Sequence, residues 1–310
     1  MRVNQSLRRT FNEQRPLRLG NPLLMTCCLA GALQAAAAGN EPEKPSPDKS
    51  RYQLFNPTPR SELREMSTDR PDKTESAYTV DAGHFQFETD LLSYAHDRDK
   101  SGGGDSRTDA YAIAPVNLKL GLLNNVDLQL MLDTYNYARV RDRVSGTVEK
   151  KSGFGDVTAR LKVNFWGNDG GPTALAMMPF VKLPSNQDSL GNDAVEGGVI
   201  FPMAVELPAG WSMGLMTEVD FLRGEPGDGR YHASFVNSIT FAHDIWGKLG
   251  GYVEFFSEVS AERGSRWIGT VDLGLTYALT DDIQLDAGVN IGATKSADDI
   301  NPFVGLSWRF

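Results

Sequence analysis

From Gly83 onward the chain alternates apolar and polar residues with a period of two, in runs of roughly ten to fourteen residues, and no other feature restricts its fold as tightly. Val126, Leu128, Leu130 and Leu132 alternate with Asp127, Gln129, Met131 and Asp133. Ala159, Leu161, Val163 and Phe165 alternate with Arg160, Lys162 and Asn164, and Trp211, Met213, Leu215, Val219 and Phe221 oppose Ser212, Gly214, Glu218 and Asp220. Val271, Leu273, Leu275 and Tyr277 oppose Asp272, Gly274 and Thr276, and Ile283, Leu285, Ala287 and Val289 oppose Gln284, Asp286 and Gly288. Successive strand residues point to opposite sides, so each run has one oily face and one wet face.

About twelve such runs can be counted, near 84–95, 108–120, 125–138, 153–166, 172–183, 194–206, 210–222, 230–242, 247–260, 266–278, 282–293 and 302–310. They are long for ordinary strands and long enough to cross a hydrocarbon layer at a tilt. Short turns (Asn124-Asn125, Leu207–Gly210, His243-Asp244, Asp281-Asp282) alternate with long polar connections, the habit of outer-membrane barrels. The fold expected is all-β, an antiparallel up-and-down transmembrane β-barrel of about twelve strands spanning 77–310. Aromatic residues near the run ends (Phe165, Trp166, Trp211, Phe221, Phe241, Trp246, Trp267, Tyr277, Phe303, Trp308) suit interfacial girdles.

The N-terminal region differs. Arg8, Arg9, Arg15 and Arg18 precede an apolar stretch ending in Ala36-Ala37-Ala38, the layout of a signal peptide over 1–38. Both cysteines, Cys27 and Cys28, lie within it, so the mature chain can form neither a disulfide nor a thiolate metal site. A lipid anchor on one of them, or a twin-arginine signal at Arg8-Arg9, is the alternative. Residues 39–76 open with GNEPEKPSPDKS and are expected to form a disordered periplasmic linker, with no plug domain. Beyond the leader no run of eighteen apolar residues occurs, which excludes membrane-spanning helices.

Parity turns a set of charged and polar groups inward: Asp127, Gln129, Asp133, Arg160, Lys162, Glu218, Asp220, Lys248, Glu254, Asp272 and Asp286 are the candidate lumen-lining residues. Such a mixture either pairs into salt bridges that plug the lumen or lines a narrow wet path. Gln129→Arg is expected to be tolerated on this wet face, and Leu130→Arg to block assembly. Val304, Leu306, Trp308 and Phe310 alternate outward to the last residue, and Trp308 with Phe310 resembles the recognition signal of the barrel-assembly machinery.

Catalytic and metal chemistry has little support. The four histidines (His84, His96, His232, His243) show no metal-binding spacing, and the glycine pairs lack a phosphate-loop context. His232-Ala233-Ser234 superficially resembles the pair of an outer-membrane phospholipase, but Tyr231, Ala233 and Phe235 claim the lipid face and turn His232 and Ser234 inward. No catalytic residues, no metal and no cofactor are therefore assigned. The formal net charge of −9 argues against a nucleic-acid partner.

TDRPDKTES at Thr68–Ser76, followed by AYTVDAGHFQFE, resembles the opening of the "Putative MetA-pathway of phenol degradation" family. Gly153-Phe154-Gly155-Asp156 resembles that family's strand start, and Leu183-Pro184-Ser185 its turn into a long loop; together the resemblance covers about 66–310. It implies an outer-membrane β-barrel linked to uptake of aromatic or other small molecules. The expected function is a channel passing small, aromatic or hydrophobic solutes passively, with outer-membrane lipids and the assembly machinery as partners. The alternatives are a structural or surface-adhesion barrel and, further off, an outer-membrane lipase.

Overall fold

The computed structural model describes residues 48–100, 103–191, 193–224 and 229–310, so the expected signal peptide lies outside the described residues. Strands β1 (Phe85–Asp99), β2 (Ser106–Ile113), β3 (Val116–Leu123), β4 (Val126–Leu132), β5 (Tyr135–Asp142), β6 (Val148–Gly153), β7 (Val157–Trp166) and β8 (Thr173–Leu183) make the first half of one antiparallel sheet. Strands β9 (Glu196–Glu206), β10 (Trp211–Arg223), β11 (Tyr231–Trp246), β12 (Leu249–Ser260), β13 (Ile268–Thr280), β14 (Ile283–Gly292) and β15 (Ile300–Arg309) complete it. β1 pairs with β15 from Gln86↔Arg309 to His96↔Ile300, which closes the sheet. Closure gives the backbone groups of β15 a second partner, the condition a membrane imposes on strands, while β6, at the far end of the sheet order, pairs with β5 alone.

β1 pairs with β3 through its first residues and with β2 through its last, so β2 and β3 form one bent wall strand. β4–β5 and β6–β7 are bent in the same way, and the barrel has the twelve wall strands expected. The three bends share one level. Ala114 takes a left-handed conformation (φ 49°) before Pro115, and the Thr134 hydroxyl donates to the Ile113 and Ala114 carbonyls, each at 2.7 Å. Those bonds occupy carbonyls at the break in the strand, where Pro115, lacking an N–H, offers the ladder no donor. In the neighbouring β1 a register shift between Asp90 and Leu92 leaves both Leu91 and Leu92 exposed.

All the short turns lie at the end of the barrel where β1 begins and β15 ends, and the long connections lie at the other. One expected turn is misplaced. β11 runs on through His243 and Asp244 to Trp246, and the reversal falls at Gly247 (φ 60°) and Lys248. The exterior carries the oily face throughout: Leu118, Leu128, Leu130, Leu161, Phe201, Val253, Leu273, Leu275 and Val304 are among its exposed residues. A closed cylinder wearing an aliphatic belt is stable only where lipid replaces water around it, and the protein is an outer-membrane barrel.

Residues 58–76 are not where the sequence reading puts them. From Arg64 the chain enters the barrel, turns near Lys73 and returns to Gly83, so a luminal loop (63–82) fills the turn end of the lumen. The Pro-, Glu- and Lys-rich composition that marks a solvated linker marks this loop equally, because its charges find counter-charges on the wall.

Candidate transport path through the lumen

Each charged side chain at the tip of the luminal loop, apart from Asp72, meets an opposite charge on the barrel wall. Asp69 bridges Lys119 (2.5 Å) and Lys162 (2.7 Å). Arg70 bridges Asp90 (2.5 Å) and Asp286 (2.7 Å), and its guanidinium lies over the Phe303 ring. Lys73 meets Asp272 at 3.0 Å, and Glu75 meets Arg160 at 2.7 Å. Thr74 donates from its amide (2.8 Å) and its hydroxyl (2.6 Å) to Glu254. At the mouth, Asp81 is held by Arg64 (3.2 Å) and Arg309 (3.7 Å). Charges taken out of water need partners of this kind, since an unpaired buried ion costs several kcal/mol or more.

Backbone groups complete the seat. Asn164 donates to the Ala77 carbonyl (2.9 Å), and the Val80 amide donates to Asp127 (3.0 Å). Two inward glycines make room: a Cβ on Gly121 would overlap the Asp81 backbone, and one on Gly305 would overlap the Arg70 guanidinium. The loop tip also covers an apolar stripe inside the wall, in which Met178, Ile200, Met216, Val236 and Phe256 pack together fully buried. Lys73 Nζ sits 4.6 Å from the centre of the Phe256 ring. Apolar residues at inward positions carry the only sequence signal of this stripe: Met178 and Ile200 face each other across β8 and β9, and Met216, Val236 and Phe256 share parity with wet neighbours on their own strands.

Of the eleven candidate lumen residues, ten face inward. Asp127, Gln129, Lys162, Glu218, Asp220, Glu254, Asp272 and Asp286 are buried, and Asp133 and Arg160 line a cavity. Lys248 does not belong with them. It lies exposed in the β11–β12 turn, donating to the Leu279 carbonyl at 3.2 Å, because the strand before it ends four residues later than its pattern suggested. Phe303, assigned to an interfacial girdle, also faces inward, over Arg70. Trp308 and Phe310 point outward, about half exposed, and Phe310 stacks on Phe85 across the closure (5.8 Å between ring centres).

The sequence left two arrangements open for the inward charges, pairing or lining a path, and both occur at different heights. Below the loop tip they are paired. Above it lies a cavity of about 200 Å³, floored by Arg70, Asp72, Lys73 and Glu75 and open toward the long connections. Its walls carry seven carboxylates (Glu88, Asp90, Asp133, Asp156, Glu196, Glu218, Asp220) against two cations (Arg160, Lys182), together with Met131, Phe180, Leu190, Leu222 and Phe303. Ser234 is buried and donates to Glu258 at 3.0 Å, and His232 faces Glu262 at 3.8 Å; neither presents its reactive atom to lipid, as the phospholipase comparison would need.

A family model described as "Putative MetA-pathway of phenol degradation" matches residues 68–310. Among solved structures, the COG4313 outer membrane channel from Pseudomonas putida F1 aligns over 79% of this chain and 100% of its own length, at 11% identity and a TM-score of 0.52. The translocator domain of autotransporter NalP from Neisseria meningitidis aligns over 73% of this chain and 88% of its own, at 12% identity and a TM-score of 0.46. The first establishes the likeness of fold; the second is too loose to carry an argument. No curated protein matches the sequence.

Proposed function

The chain belongs to the "Putative MetA-pathway of phenol degradation" family, and from that premise we propose that it is a passive outer-membrane channel for small amphipathic solutes, aromatic ones among them. The observation that carries this reading is the cavity above the luminal loop, where apolar and aromatic groups (Phe180, Leu222, Phe303) stand beside carboxylates. A solute with a ring and a polar or cationic edge can satisfy both linings at once; a strongly hydrated anion can satisfy neither. Passage is downhill, driven by the solute gradient. In the conformation described here the loop closes the turn end of the lumen, so conduction requires it to shift along or out of its seat.

Planar-bilayer recording of the full chain tests this. Discrete conductance steps with a reversal potential favouring cations are expected, because carboxylates outnumber cations around the cavity. Glu218→Gln with Asp220→Asn should reduce that preference. A silent bilayer under all voltages, with a folded barrel confirmed by its heat-modifiable gel mobility, would rule the channel reading out.

A further inference from the structure

The bent strands carry β2, β5 and β6 toward the long connections, and their outward face is graded from apolar to basic. Leu92, Ile113 and Tyr135 form one exposed row across β1, β2 and β5. The next row is Tyr94, Tyr111 and Tyr137, whose rings meet in sequence, tilted, at 4.9 and 6.2 Å between centres, the arrangement of an interfacial girdle. The next row on that face is His96, Asp109, Arg139 and Lys150, and the row above it is basic across β1, β2 and β5. Arg98, Arg107 and Arg141 lie directly opposite one another on β1, β2 and β5, and Arg139 lies directly opposite Lys150 on β6.

Like charges directly across a ladder destabilise a sheet. Within the protein the compensation is partial: Arg98 binds Asp105 (2.8 Å), and Arg107 binds Asp109 (2.9 Å), which also accepts from Tyr94. Arg139, Arg141 and Lys150 are exposed and make no ion pair among the described residues; Asp109, directly opposite Arg139, is already engaged by Arg107, Tyr94 and His96. An external anion would relieve three unbalanced cations at once, and guanidinium groups suit phosphate oxygens, which they can grip with two hydrogen bonds.

We infer that this face, centred on Arg139, Arg141 and Lys150, binds the phosphorylated headgroup of an outer-leaflet glycolipid. The height selects the occupant. Arg139 and Lys150 sit one row above the tyrosines and Arg141 two, at the long-connection end, where a lipid packed along Leu92, Ile113 and Tyr135 would place its headgroup phosphates. The site lies on the outer surface, away from the luminal path, so it stands independently of the channel reading.

The test uses the folded full-length barrel in detergent, titrated with bisphosphorylated lipid A and followed by native mass spectrometry. Retained lipid is expected on the wild type. Affinity should fall at least tenfold for Arg139→Gln/Arg141→Gln/Lys150→Gln, and by a similar factor when the wild type meets the fully dephosphorylated lipid, an arm that needs no variant to fold. Single-channel conductance of the triple variant should be unchanged. Equal binding of the dephosphorylated lipid, or unchanged affinity in a variant whose gel mobility shows a closed barrel, would overturn the inference. So would displacement of the lipid by millimolar inorganic phosphate, which would mark a free-anion site instead of a headgroup site.

Discussion

Arg70 shows how much of the closed state rests on single side chains. It sits between Asp90 and Asp286, under Phe303, in space left by Gly305. Arg70→Ala would leave two buried carboxylates without their cation, a loss of roughly 3–5 kcal/mol for a fully buried pair. The wall is held by its own backbone ladder, so the loop and not the barrel should yield: conductance rises severalfold while heat-modifiable mobility is unchanged. An unaltered conductance would show that the loop is not the barrier. Gln129 makes a second case. Parity alone marks it as a tolerant wet position, yet it is fully buried, accepts from Asn117 (3.3 Å), donates to Asp127 (3.1 Å) and lies opposite Lys119. Gln129→Arg would bury a second cation beside Lys119, and a reduced yield of folded barrel is the expected result. The alternation showed that Gln129 points inward; it held no information on whether water or another chain would meet it there.

Elements behave less independently than their sequence patterns suggest. The bends in β2–β3, β4–β5 and β6–β7 fall at one level because each wall strand must follow its neighbour, and only Pro115 announces the break in advance. The luminal loop was the element least legible in the sequence. Its alternating charges, Asp69, Arg70, Asp72, Lys73 and Glu75, look like a solvated tether until the wall's Lys119, Arg160, Lys162, Asp90, Asp272 and Asp286 are placed around them. A crosslink can test whether the loop moves during conduction. Thr74 and Ser238 hold their hydroxyl oxygens 2.6 Å apart, and both native cysteines lie in the segment expected to be removed as a signal. In the Thr74→Cys/Ser238→Cys protein the oxidised form should stay closed, and a reductant should restore wild-type steps. Equal conductance in both redox forms would place the path around a fixed loop.

For the whole molecule, the decisive balance is between the lipid outside and the packed, charged interior. Leu130 is outward and exposed midway along the wall. Leu130→Arg should cost about 2–4 kcal/mol near the midplane and deplete the folded, heat-modifiable form in membrane fractions. A normal yield of closed barrel would contradict the assignment of that face to lipid. Period-two alternation over long runs settled, by itself, the strand architecture, the number of wall strands, which face meets lipid and the inward direction of ten of eleven candidate residues, because side-chain direction in a strand is a local consequence of backbone geometry. What fills the lumen was decided only in three dimensions. Whether an inward carboxylate lines a path or clamps a loop depends on residues more than two hundred positions away, as Arg70 and Asp286 show, and contacts between such distant charges leave no periodic trace along the chain.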